Sequence, residues 1–299
     1  MADLLTKLIL YLMRNQLSKW HEGSIEEQRT RQEKSTRFFR LPKKIQSTIF
    51  SIDGIQAEWI ETEGDQAGTI LYLHGGAYAL GSVDTHRELI SRLVINTNCK
   101  TLAINYRRAP EYPFPAALED TLKSYDWLLS SGISQSQICF GGDSAGGGLA
   151  IASLLALREK DVPLPAGVFC FSPWLDLTLS GGSMHTLRHL DPILSHTILT
   201  TYVDYYTNGY KATDPLISPL FAENLRNLPP ILIQSGRNEV LLDDAIRFYE
   251  KAHQAGVDVT LKIWDDMFHV FQLIPFLQES KESMEEVSEF VARVLNRSG

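Results

Sequence analysis

The stretch Ile138-Cys139-Phe140-Gly141-Gly142-Asp143-Ser144-Ala145-Gly146-Gly147-Gly148-Leu149 decides how this chain is read. A short apolar run, Ile138-Cys139-Phe140, leads into Gly142-Asp143-Ser144-Ala145-Gly146, and a helix-like run, Leu149-Ala150-Ile151-Ala152-Ser153-Leu154-Leu155, leads out of it. A Gly-x-Ser-x-Gly between a strand and a helix makes a sharp, strained turn that presents the serine hydroxyl. The two glycines are needed because side chains two residues before and after the serine would collide with neighbouring elements. The helix that follows points its positive end at the serine, where it can stabilise negative charge. Taken alone, the five residues could be a glycine-rich strand-to-helix turn with a bystander serine. Their partners elsewhere in the chain decide between the two readings.

Composition sets the outer bounds. The chain has 299 residues, 44% hydrophobic and 21% charged, which is ordinary for a soluble globular protein with a full core. A net charge of −8 argues against a nucleic-acid partner, since phosphate binding wants a basic face. Cys99, Cys139 and Cys170 are odd in number, lack a Cys-x-x-Cys spacing and lie in or beside strand-like runs. They read as buried hydrophobes in a reducing compartment, so a cytoplasmic protein is expected. Leu4, Leu5, Leu8, Ile9 and Leu12 recur at helical spacing, but Asp3 and Lys7 interrupt them and Arg14, Lys19 and Arg29 follow. That pattern fits a docked amphipathic helix rather than a targeting signal. No run approaches the roughly 18 apolar residues of a membrane span. A homo-oligomer is compatible with the sequence, which does not set an oligomeric state.

Strands are expected over residues 44–52, 56–62, 69–74, 101–106, 137–141, 166–172, 231–235 and 258–264. Helical runs over 86–96, 114–130, 145–158, 243–255 and 279–296 separate most of them from the third strand onward. Such alternation predicts an α/β fold, an eight-stranded, mostly parallel sheet with helices on both faces. The first two strands have no helix between them and form a hairpin at Asp53-Gly54. Two regions break the alternation. Residues 1–43 are helical, charged and partly apolar, and residues 179–214 are rich in His, Tyr, Thr and Leu and begin with a flexible Ser180-Gly181-Gly182-Ser183. An insertion after the sixth strand lies on the carboxyl edge of the sheet, where open α/β sheets bind ligands. The division expected is therefore N-terminal cap helices over 1–43, a catalytic domain over 44–178 and 215–299, and a cap insertion over 179–214. The other reading is that both segments merely cover the edge of the core.

A serine hydroxyl needs a base to take its proton. Of eight histidines, His269 alone follows the last strand on the edge that carries Ser144, and it comes after the serine in the chain order Ser, acid, His. His253 sits among charged helix neighbours and reads as solvated, and His74 reads as structural. The acid that orients the imidazole should leave the seventh strand. Glu239 comes first there, in Gly236-Arg237-Asn238-Glu239; Asp243 is a rival that reads as a helix cap, and Asp176, after the sixth strand, is another. The oxyanion donors expected are the N–H groups of Gly75 and Gly76 in His74-Gly75-Gly76-Ala77-Tyr78, with that of Ala145. His185 and His189 stand four apart, as metal ligands on a helix would, but no His-Glu-x-x-His glutamate accompanies them, and no metal or cofactor is expected. Tyr202, Val203, Tyr205 and Tyr206 form an aromatic cluster that either packs the core or lines a pocket.

These pieces resemble the hormone-sensitive-lipase family of α/β hydrolases, in the bacterial esterase branch with the Gly-Asp-Ser-Ala-Gly elbow. The matching stretches are His74-Gly75-Gly76, Tyr106-Arg107-Arg108-Ala109-Pro110-Glu111-Tyr112-Pro113-Phe114-Pro115-Ala116-Ala117, Gly142–Gly147, Ser172-Pro173-Trp174 and the Glu239 and His269 loops, from about residue 68 to about residue 272. Three positions depart from the family pattern: Ala77 where a third glycine is common, Arg108 where leucine is commoner, and Glu239 where aspartate is more usual. The resemblance implies a carboxylic-ester hydrolase acting on short-acyl small-molecule esters through an acyl-enzyme. An amidase on the same residues is the nearest alternative. A non-catalytic ligand receptor on this fold is the other, and the presence of His269 argues against it.

Overall fold

The structure, a computed structural model, describes residues 22–36 and 41–296. The amphipathic run at residues 4–12 and His21 lie outside the described residues. A helix, α1 (Ile25–Thr36), precedes the hairpin β1 (Ile45–Ile52) and β2 (Ile55–Thr62). The chain then alternates through β3 (Thr69–Leu73), α2 (Val83–Thr97), β4 (Lys100–Asn105), α3 (Ala116–Ser130), β5 (Ile138–Asp143), α4 (Ala145–Glu159) and β6 (Gly167–Phe171). Two helices, α5 (Ser183–Thr186) and α6 (His196–Thr207), interrupt the alternation before β7 (Ile231–Gly236), α7 (Leu242–Gln254), β8 (Val259–Trp264) and α8 (Gln278–Asn296) complete it.

The sheet has eight strands in the order β1-β2-β4-β3-β5-β6-β7-β8. β2 runs antiparallel to both β1 and β4, and every other pairing is parallel. Asp53 and Gly54 both take positive φ, the turn that matches the twist of a two-residue hairpin. β3, β5, β6 and β7 are buried at every position, as expected of strands covered by helices on both faces. The expected strands coincide with the observed ones to within two residues. β5 starts after a 3₁₀ turn, Gln135–Gln137, and runs on into the glycines as far as Asp143. α2 begins three residues earlier than the apolar pattern indicates. Ser82 Oγ accepts the Thr85 N–H and Thr85 Oγ1 accepts the Ser82 N–H, a reciprocal cap that recruits the first turn.

The Ser180–Ser183 stretch is pinned rather than flexible. Ser180 Oγ donates to Asp176 Oδ2, and Ser183 Oγ donates to the Val240 carbonyl at 2.6 Å. The serines on either side of the two glycines convert a loose linker into an anchored one.

The backbone is closely packed at the elbow. A Cβ on Gly146 would stand 2.0 Å from the Leu73 carbonyl oxygen, and one on Gly142 would stand 2.5 Å from the Gly146 carbonyl oxygen. Both obstacles are backbone, which cannot rotate aside. Overpacking a core usually costs about 1–3 kcal/mol. Gly146→Ala is expected to reach or exceed the upper end, about 3 kcal/mol, in chemical denaturation. An unchanged midpoint would show that β3 withdraws freely and that the glycine is not required for packing.

Candidate active site

Ser144 links β5 to α4 with φ 52° and ψ −121°. A non-glycine residue in the left-handed half of the map is strained, and it persists only where the surroundings hold it. Here the Ser144 N–H donates to the Phe171 carbonyl at 2.8 Å, and its own carbonyl accepts from Gly148 and Trp174, both at 3.0 Å. The side chain is thereby turned out of the strand, with Oγ 3.0 Å from His269 Nε2.

His269 stands on the loop after β8. Its Nδ1 lies 3.6 Å from Glu239 Oε2, just beyond hydrogen-bond length, and both side chains are buried. Ser172 bridges the two loops: its hydroxyl donates to Glu239 Oε2 at 2.6 Å and accepts the Val270 N–H at 3.0 Å. Backbone bonds from Arg237 to Trp264 and from Asn238 to Met267 join the same loops again. Asp191, in the segment between β6 and α6, accepts the Val240 N–H at 2.9 Å and holds the residue after Glu239. Burial alone lowers the His269 pKa, but Glu239 first, then Asp191 and Asp143, overcome it and raise the imidazole above its ordinary value.

The rival acids are occupied elsewhere. Asp176 accepts from the Thr178 N–H at 2.8 Å and pairs with Arg247 at 3.0 Å. Contrary to the sequence expectation of a helix cap, Asp243 does not cap its own helix; it accepts the Ser183 N–H at 2.9 Å. Asp244 likewise takes the N–H groups of Leu175 and Asp176. The first turn of α7 meets the segment after β6, and amides of that neighbour reach these carboxylates.

Gly75 does not fit the oxyanion role expected of it, because its N–H donates to Asp143 Oδ1 at 3.0 Å. The N–H groups of Gly76, Ala77 and Ala145 have no protein acceptor among the described residues. His74 is structural: it stacks on Tyr106 with centroids 4.2 Å apart, its Nδ1 lies 2.7 Å from the Gly75 carbonyl, and burial drives its pKa down to about 3. Sequence reasoning passed over Ser172, Asp191 and His86. Ser172 was visible in Ser172-Pro173-Trp174 at a strand end, whereas nothing local marks the other two.

Ser144 and His269 open into a cavity of about 260 Å³. Its apolar wall includes Leu194, Leu199 and Tyr202 from the segment between β6 and β7, while Gln32 and Thr36 of α1 also line it. The aromatic cluster therefore divides. Tyr202 faces the cavity, and Tyr206 stacks on Tyr78 at 3.7 Å in the core. His253 is exposed, as are His185 and His189. Among the described residues no group of three His, Cys, Asp or Glu could hold a metal ion, and no helix is long and apolar enough to cross a membrane.

Sheet order, strained serine turn and the loops at the carboxyl edge are those of an α/β hydrolase. The sequence pattern of the alpha/beta hydrolase fold matches residues 70–273. An acetyl-hydrolase of Streptomyces hygroscopicus is 40% identical over 276 residues, 91% of this chain and 92% of that protein. A crystal structure titled as an esterase from the bacterial hormone-sensitive lipase family superposes with a TM-score of 0.94 at 39% identity, covering 99% of this chain and 100% of that one. A crystal of EstE5 soaked with p-nitrophenyl butyrate superposes with a TM-score of 0.93, also at 39% identity and with the same coverage. This chain belongs to the hormone-sensitive-lipase family of α/β hydrolases, and it is a carboxylic-ester hydrolase.

The raised pKa of His269 has a direct check. By NMR titration the imidazole is expected to titrate above 6.5, its ordinary value. Glu239→Gln removes the leading attraction and leaves burial, so the titration should move to lower pH. An unmoved or upward-shifted titration would remove Glu239 as the partner of His269.

Proposed function

We propose that Ser144 is the nucleophile, His269 its general base and Glu239 the acid that orients the imidazole, in a reaction on short-acyl carboxylic esters. The observation that carries this reading is the 3.0 Å approach of His269 Nε2 to Ser144 Oγ, with a buried carboxylate behind Nδ1. His269 takes the serine proton as Oγ attacks the ester carbonyl. The N–H groups of Gly76, Ala77 and Ala145, with the N-terminus of α4, receive the charge that develops on oxygen. His269 then protonates the leaving alcohol and activates the water that cleaves the acyl-enzyme. The 3.6 Å gap to Glu239 agrees with catalytic hydrogen bonds that are long in the free enzyme and shorten in the complex. This chemistry needs no metal or cofactor.

The short-acyl preference rests on the cavity. About 260 Å³ falls below the roughly 300–1,000 Å³ usual for ligand pockets. The same reading makes α1 and residues 179–214 a cap over the catalytic domain of 44–178 and 215–299, since both supply cavity walls. With p-nitrophenyl esters of rising chain length, kcat/KM should peak between acetyl and hexanoyl and fall sharply beyond. A profile that keeps rising to long acyl chains would sink the short-acyl assignment.

Removing the charge of the triad acid costs about 10⁴ in kcat in the best-studied triad. Glu239→Gln should lower kcat by roughly 10²–10⁴ on the same reasoning. Asp243→Asn and Asp176→Asn should leave kcat within a few-fold. Near-normal turnover in Glu239→Gln together with collapse in either aspartate variant would transfer the role.

A further inference from the structure

His86 and Asp143 form a second buried imidazole–carboxylate pair that the proposed reaction does not use. His86, in the first turn of α2, places Nε2 3.2 Å from Asp143 Oδ2, and both side chains are almost fully buried. Its Nδ1 lies 2.8 Å from Thr85 Oγ1 and 3.1 Å from the Ser82 carbonyl, so the ring is held at both nitrogens. Asp143 Oδ1 accepts the Tyr72 hydroxyl at 2.8 Å and the Gly75 N–H at 3.0 Å. One carboxylate is thus fixed by donors from β3, the glycine loop and α2.

Its position in the chain gives this pair a consequence. Asp143 precedes Ser144, and Gly75 precedes Gly76. The carboxylate therefore ties the serine turn to the loop that carries the free N–H groups of Gly76 and Ala77. With Oδ2 on His86, Oδ1 must face Tyr72 and Gly75. Without a donor at Oδ2, one of the three bonds that orient the carboxylate is lost, and only the Tyr72 hydroxyl is left to hold the acceptor of the Gly75 N–H in place. Burial opposes charge on both partners, and their mutual attraction outweighs it, holding Asp143 low and His86 high. Both also line the cavity, within the walls that hold Ser144 and His269.

We propose that His86, acting through Asp143, is a positioning residue that sets the geometry of the oxyanion site. This rests on the reading of Ser144 as nucleophile. Oxyanion donors must lie about 2.7–3.1 Å from the position of the developing charge, and loss of one costs about 10²–10³ in kcat. A misplaced loop should cost part of that, roughly 10–100-fold. His86 touches no reacting atom, so the loss should fall on kcat and leave substrate binding nearly unchanged.

The test compares His86→Leu and His86→Gln with wild type on p-nitrophenyl butyrate, with Tm measured for each. A trifluoromethyl ketone, which forms a tetrahedral adduct with an active serine, probes the oxyanion site. In His86→Leu, kcat should fall roughly 10–100-fold with KM within about twofold, and ketone affinity should fall in step with kcat/KM. His86→Gln, whose amide N–H can reach Asp143, should recover most of the loss. A folded His86→Leu that keeps its kcat and ketone affinity overturns the proposal, as does a glutamine variant no better than leucine. If the leucine variant does not fold, His86→Asn replaces it: its amide is too short to reach Asp143, and equal kcat for Asn and Gln overturns the proposal. A Ser144→Ala arm separates the two readings, because turnover there removes the nucleophile assignment itself, whatever His86 does.

Discussion

The positive φ of Ser144 is the constraint from which the rest of the site follows. A serine continuing β5 in extended conformation would point into one of the helical layers. Turned at φ 52°, it stands at the carboxyl edge and starts α4 at the next residue. That geometry is expensive in itself, of order 1–3 kcal/mol. It is held by backbone bonds to β6 and the segment after it, and by the approach of β3 that only glycines permit. The buried central strands and α4 are therefore the support of a single dihedral angle.

His269 and Glu239 stand on loops, and loops are poorly defined unless something joins them. Ser172 does so with one hydroxyl, donating to the carboxylate and accepting from the backbone beside the histidine. It directly follows β6, the strand next to β5, so the loops that carry Glu239 and His269 are referenced to the sheet edge that holds the elbow. Asp191 adds a constraint from the segment between β6 and α6 by gripping Val240. That segment and the Glu239 loop are consequently one hydrogen-bonded unit.

How much of this could be read in the sequence follows from the range of each interaction. The strands and major helices were legible because periodicity and glycine placement are local. That Ser144 and His269 would meet was legible because a strand-turn-helix and the order along the chain put both at the carboxyl edge. The roles of Asp243 and Gly75 were not, for a shared reason. Each was assigned from its own neighbours, as a helix cap and as a loop donor, and each is bonded to a residue 60 or more positions away. His86 was hidden in the same way: on its own helix it is an unremarkable first-turn residue, and only the fold brings Asp143 to it, 57 positions on.

Arg108, where the family more often has leucine, shows how such a long-range solution is built. Its guanidinium donates to the Gly81 carbonyl, at the end of the loop that begins with Gly75. Arg29 of α1 donates to the carbonyls of Ala79 and Ala109 at 2.8 and 2.7 Å and forks onto Glu111. Glu111 is about half exposed, so its ion pair contributes about 0–1 kcal/mol. Hydrogen bonds from a charged group to buried carbonyls contribute more, about 1.5–3 kcal/mol. What the two arginines fix is thus the backbone of residues 79–81, not a surface charge. Gln32 completes the set by accepting the Gly81 N–H at 3.1 Å, while Tyr202 of α6 donates to Gln28 at 2.7 Å. α1 therefore connects the loop over residues 75–81 to the helix that lines the cavity. A change in how α1 docks must reach both the width of the pocket and the placement of that loop, because the same turns of helix hold each of them.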